Sequence, residues 1–118
     1  MSSIRLKTPI PGPKSQALMK ERQAQVARGP FHTTPIFVAR AHGALLEDAD
    51  GNQLIDFAGG IGVVNTGHCE ESVVRAVQSQ AGQLMHASFN VLPYESYVKL
   101  CEKLNHATPG SHAKKSFL

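Results

Sequence analysis

The 118-residue chain has room for one small domain or a piece of a larger one, and it cannot hold two full-sized cores. Hydrophobic residues at 42% exclude a disordered chain, while 6% aromatics and no Trp leave few large rings for a core. The net charge of +3 is uneven: residues 1–40 carry seven Lys or Arg against Glu21, and residues 41–118 carry five against eight acids, so the basic excess is a spread-out leading segment without the dense stripe or interleaved aromatics of a nucleic-acid binder.

Residues 1–13 contain Pro9, Pro11, Gly12 and Pro13 and show no periodicity, which predicts an extended, poorly ordered arm. From Ser15 to Arg28 the chain is rich in good helix formers; Ser15 is placed to cap this helix and Gly29-Pro30 to stop it. Its apolar face is narrow, so the helix is expected to lie on another body. Ile36–Ala39, Ala44–Glu47 and Gln53–Phe57 read as three short strands, separated by His42-Gly43 and by the turn Asp48–Asn52, and predict an antiparallel meander. The acidic turn is not a calcium loop, because Gly51 falls at the fourth position and Gly59 stands where the twelfth needs a carboxylate.

Four glycines lie between positions 59 and 67, directly after the third strand, and demand special backbone torsions or a close approach. This is not the dinucleotide fingerprint: Asn65 occupies the place of the third small residue, and no helix opens there. Glu70 and Glu71 begin a second helix, with Val73, Val77, Ala81 and Leu84 on one stripe. After a loop from Met85 to Pro93, a third helix spans about Tyr94 to Asn105, with Tyr97, Leu100, Cys101 and Leu104 on its apolar face and Cys101 read as core. Pro109-Gly110 ends that unit, and residues 111–118 read as a turn entering a strand.

The residues offer little self-contained chemistry. Cys69 and Cys101 lack zinc spacing, none of the six histidines pairs with another ligand at metal-binding spacing, and no metal site is expected. There is no nucleophile-elbow pattern for a hydrolase. Glu70 and Glu71 beside Cys69 disfavour a thiolate there. His68, between the glycine loop and a helix, is read as a hydrogen-bonding residue fixing that junction, and Asp56 as either solvent-facing or an acceptor for the loop. With no apolar run of membrane-spanning length and no apolar signal segment at the start, a soluble, reducing, cytoplasmic setting is expected, with neither membrane nor nucleic acid as partner.

The order of the pieces adds to this. Pro35-Ile36-Phe37, the turn Glu47–Asn52, the run Leu54–His68 (LIDFAGGIGVVNTGH) and Pro93–Tyr97 (PYESY) resemble the N-terminal region of class III pyridoxal-phosphate-dependent aminotransferases over residues 14–118. The resemblance implies an α+β fragment: an N-terminal helix, a three-stranded antiparallel meander and two helices, forming the N-terminal part of a fold-type I enzyme. It divides the chain into an arm at 1–13, an N-terminal segment at 14–110 and the start of a large cofactor-binding domain at 111–118. It implies transfer of an amino group from 4-aminobutyrate or a related ω-amine to 2-oxoglutarate through pyridoxal 5'-phosphate, in a homodimer. Ile61 would lie beside the substrate, Gly60 would allow close approach, and Asn90 would stand where the family usually has Gln near the active-site mouth. Cys69-Glu70-Glu71 departs from the family's usual x-His-Pro after the loop His.

The resemblance places the phosphate-binding turn, the aspartate at the pyridine nitrogen, the cofactor lysine and the carboxylate-binding arginine beyond position 118, and assigns neither Lys114 nor Lys115 the lysine's role. The isolated chain is therefore expected to be inactive and prone to aggregate, with no catalytic or cofactor-binding residue of its own. The competing expectation is a stand-alone interaction module that pairs with a full-length homologue.

Overall fold

The computed structural model describes residues 3–118. The chain forms two compact units, one running to Arg75 and the other from Ala76 to Leu118.

The first unit begins with the arm, which is fastened at several points. Arg5 and Gln53 exchange backbone hydrogen bonds of 3.0 and 2.7 Å, so the arm pairs along the edge of the sheet. Asn52 Oδ1 then accepts the backbone N–H groups of Lys7 and Thr8 at 2.7 and 2.9 Å. The expectation of a poorly ordered arm is corrected here by contacts more than forty residues away in sequence, which no local pattern reveals.

Helix α1 spans Pro13–Gln25, with Pro at its first position, where a missing N–H costs nothing. Ser15 is not its cap. Asp50 Oδ1 accepts Lys14 N at 2.7 Å and Asp50 Oδ2 accepts Ser15 N at 2.9 Å, so a carboxylate from the acidic turn satisfies two of the helix's free N–H groups. Gly12 permits the approach, since a Cβ there would sit 2.4 Å from Asp50 Cγ. The helix ends three residues before Arg28, with Val26 already extended and the Arg22 guanidinium bonded to the Pro30 carbonyl.

Strands β1 (Val38–His42), β2 (Leu45–Asp48) and β3 (Gln53–Ile55) form the expected antiparallel meander, in the order β1-β2-β3. His42 pairs with Leu45, Arg40 with Glu47 and Val38 with Asp48, so one extra residue on β1 makes a bulge. Arg40 and Glu47 form a cross-strand ion pair at 2.8 Å, and this hydrogen bond holds the Glu47 carboxyl below its ordinary range. Leu45 faces Ile55 and Leu46 faces Leu54 across β2 and β3.

The turn between β2 and β3 is the most buried place in the molecule, and what it buries is polar. Among the described residues Gly12, Ser15, Asp48 and Asn52 are buried, and no hydrophobic side chain is. Asp48 Oδ1 accepts Asp50 N and Asn52 N at 3.0 and 2.8 Å, while Asn52 Nδ2 donates to Asp48 Oδ2 and Thr8 Oγ1 at 2.8 and 2.9 Å. The side chains of Asp48 and Asn52 are thus paired, as buried polar groups generally are, whereas the buried Ser15 hydroxyl has no partner among the described residues.

Helix α3 spans Glu71–Ala81, following a short turn, α2 (Gly59–Gly62), and the boundary between the units falls within it. The Glu70 carboxylate accepts Val73 N at 3.0 Å; its bonds from Ser72 and Val73 hold it below the ordinary carboxylate range. Helix α4 spans Glu95–Ala107, where Lys99 and Glu95 pair at 2.8 Å. The apolar stripes exist, but Val73, Val77, Leu100 and Leu104 are all exposed. Cys101 is only partly covered and contacts the Ser116 carbonyl at 3.6 Å, so it is not the core residue expected. Residues 113–118 form no strand and meet helix side chains instead, with Leu118 N donating to Tyr97 Oη at 3.0 Å and the Ser116 hydroxyl donating to Asn105 Oδ1 at 2.8 Å. No helix among the described residues is long and apolar enough to cross a membrane.

Candidate functional site

The glycine-rich run leaves β3 at Asp56, whose N–H bonds the Ala44 carbonyl at 2.9 Å. Four consecutive residues then take positive φ: Gly59 at 54°, Gly60 at 62°, Ile61 at 58° and Gly62 at 79°. This is one left-handed turn. Glycine adopts it freely, but a β-branched residue is crowded against its own carbonyl at a cost of about 1–2 kcal/mol. Ile61 N nevertheless bonds the Ala58 carbonyl at 2.8 Å, and Val63 N and Val64 N both bond the Gly59 carbonyl at 3.0 Å.

The result is presentation. Ile61 is 95% exposed at the apex, and the neighbouring Phe57 and Val63 are also exposed. A strained residue that packs against nothing in its own unit marks a functional surface more than a structural one.

Asp56 accepts Ala58 N at 2.8 Å and Gly59 N at 3.0 Å on Oδ1, and His68 Nε2 lies 2.7 Å from its Oδ2. The hydrogen bond from His68, followed by that from Gly59, holds the Asp56 carboxyl below its ordinary range. An ionised carboxylate only accepts, so Nε2 carries the hydrogen. His68 also exchanges backbone bonds of 2.8 and 2.9 Å with Gly43. Of the two readings open for Asp56, the structure shows the loop acceptor, and His68 is the junction residue expected.

Gly60 and Ile61 thus stand together on this turn. Asn90 belongs to the second unit, where it is exposed in a turn closed by Val91 N and Leu92 N bonding the Ser88 carbonyl at 2.8 and 3.0 Å. Phe89 anchors that turn, stacked on Tyr97 at 4.0 Å and edge-on to Tyr94 at 5.5 Å. Sequence reasoning did not reach the left-handed torsion at Ile61 or the Phe89–Tyr97 stack; glycines on both sides of Ile61 were the only signal of the first.

A phosphorylated cofactor would need free N–H donors and positive charge. The glycine loop carries no Lys or Arg, and the N–H groups of Ala58, Gly59, Ile61, Val63 and Val64 are already bonded above an ionised Asp56. These residues do not fit a phosphate, and the loop is suited to an apolar part of a ligand. No three His, Cys, Asp or Glu residues gather as a metal-ligand set among the described residues.

The class-III aminotransferase family model matches residues 26–118. The chain belongs to that family. It is 51% identical over 116 residues to the 4-aminobutyrate aminotransferase of Mycobacterium tuberculosis, covering 98% of this chain and 26% of that enzyme. To the 5-aminovalerate aminotransferase of Pseudomonas putida it is 49% identical over 104 residues, covering 88% of this chain and 24% of the relative. This class-III aminotransferase chain therefore spans about a quarter of the length of the curated relatives it matches. Its fold also matches the ornithine aminotransferase of Toxoplasma gondii, in a structure described as having partial occupancy of PLP at its active site. That match has a TM-score of 0.71 at 21% identity, covering 78% of this chain and 21% of the other.

Proposed function

We propose that this chain supplies one wall of the substrate pocket of an aminotransferase that moves an amino group from 4-aminobutyrate or a related ω-amine to 2-oxoglutarate, using pyridoxal 5'-phosphate in a cytoplasmic homodimer. The observation that carries the reading is the left-handed turn that holds Ile61 outward, within the region matched by the family. A short ω-amino acid has a charged group at each end and methylenes between them. An exposed aliphatic side chain on a glycine-flanked turn is suited to the methylenes, with Gly60 leaving room for close approach, and the family resemblance assigns the exposed Asn90 amide to the substrate as well.

The cofactor, when bound, supplies the electron sink for the chemistry. This chain's own part is to bind and orient the donor. Because the chain spans about a quarter of the length of its relatives, the 118-residue chain alone is inactive in this reading.

The test is glutamate formation from 2-oxoglutarate and 4-aminobutyrate, by the protein purified at its native length and by the 118-residue chain. The expected result is ω-amine-dependent glutamate from the former and none from the latter. Absence of glutamate with every short ω-amine would overturn the assignment, and turnover by the 118-residue chain would overturn its inactivity.

A further inference from the structure

We infer that Asp56 is a positioning residue whose carboxylate, held in turn by His68, fixes the left-handed turn under Ile61 and so sets how sharply the pocket discriminates ω-amino acids by length. The inference rests on the reading of Ile61 as a pocket wall and goes on to say what holds that wall in place.

The geometry forms a relay. Asp56 Oδ1 binds the N–H groups of Ala58 and Gly59, and the carbonyls of these same two residues accept Ile61 N, Val63 N and Val64 N. Each bond that defines the turn therefore starts from a residue Asp56 holds. Asp56 Oδ2 meets His68, twelve residues on, and so closes the far end of the loop. Both ends are tied to the same β1–β2 connection: Asp56 N to the Ala44 carbonyl, and His68 to Gly43 in both directions.

Among the described residues, no side-chain packing restrains the apex. Ile61 is almost fully exposed, so its side chain has no packing to keep it in a conformation that an isoleucine avoids. Its position depends on the loop base. A fixed apolar wall discriminates one methylene by about 10–200-fold, and a wall free to move loses that discrimination.

The test uses the native-length enzyme and the ratio of kcat/KM for 4-aminobutyrate to that for 5-aminovalerate. Asp56→Ala is expected to move the ratio toward unity by about tenfold, with kcat at saturation held within about threefold. Asp56→Asn keeps the Oδ1 acceptor and should restore most of the ratio. In Asp56→Ala the Val63 and Val64 amides should also exchange faster with solvent.

If Ile61→Ala shifts the ratio and Asp56→Ala does not, the positioning role is overturned and the pocket reading stands. If neither shifts it, the pocket reading fails and takes the inference with it. Should Asp56→Ala not fold, His68→Ala, which leaves the Oδ1 bonds in place, must shift the ratio in the same direction by a smaller factor; an unchanged ratio there overturns the inference.

Discussion

Replacing Ile61 with Asn should stabilise the loop and weaken substrate binding at once. Ile61 sits at φ 58°, where a β-branched side chain costs about 1–2 kcal/mol and Asn far less. At 95% exposure the substitution removes almost no burial within the unit. The net gain is about 1 kcal/mol, which corresponds to roughly fivefold slower exchange of the Val63 and Val64 amides that close the turn. Against substrate the sign reverses. An isoleucine packed on methylenes contributes up to about 1.5–3 kcal/mol, so partial loss of that contact predicts a KM for 4-aminobutyrate raised about 5–30-fold. Hydrogen exchange by mass spectrometry reads the first effect and steady-state kinetics on the native-length enzyme the second. Faster exchange in Ile61→Asn would refute the strain argument, and an unchanged KM would refute the role of the exposed side chain.

Asn52→Ala removes all four side-chain hydrogen bonds of a fully buried residue. At about 0.5–1.5 kcal/mol net per bond, with incomplete additivity, the arm loses about 3 kcal/mol of attachment. The Lys7 and Thr8 amides should then exchange about a hundredfold faster, and a change below about threefold would show that the arm is held elsewhere. For Asp50, burial pushes the carboxyl up, but the N–H groups of Ser15 and Lys14 more than reverse this and leave it below its ordinary value. A depressed folded-state value means the stabilisation is present above the ordinary carboxylate range and is lost as pH falls through the lowered value. The first turn of α1 should therefore lose protection in acid, as read by amide exchange against pH. Asp50→Asn should abolish that acid step; an identical step in the variant would locate its cause in another carboxylate.

The two kinds of information divide by distance along the chain. The meander was legible because β-branched and aromatic runs alternate with Gly and Asp-Gly turns, and such patterns act over a few residues. Helices α3 and α4 were legible from their stripes for the same reason, although Glu70 and Tyr94 stand just outside them and α3 ends at Ala81, three residues short of Leu84. The run from Leu54 to His68 pointed to the family by its resemblance, because its Asp-Phe-Ala-Gly-Gly-Ile and Asn-Thr-Gly-His pieces stand together in one short stretch.

What lay out of reach was set by contacts between distant segments. Ser15 has the chemistry of a cap, yet Asp50 takes that role, because the acidic turn brings two carboxylate oxygens to the helix start and Gly12 lets them in. Local propensity cannot anticipate a partner 35 residues away. The arm was read as loose for the same reason, since its proline-rich composition says nothing about a buried asparagine that accepts its N–H groups. Residues 113–118 have a strand-like composition, but a strand exists only where another backbone pairs with it, and here the Tyr97 hydroxyl takes the backbone hydrogen bonds of Leu118 instead. By itself the sequence determined the family, the element types and the residues of the glycine loop. Only the tertiary structure decided that Asp56 and His68 close that loop and that Ile61 stands outward on a left-handed turn, because both depend on hydrogen bonds across the fold and not on the preferences of neighbouring residues.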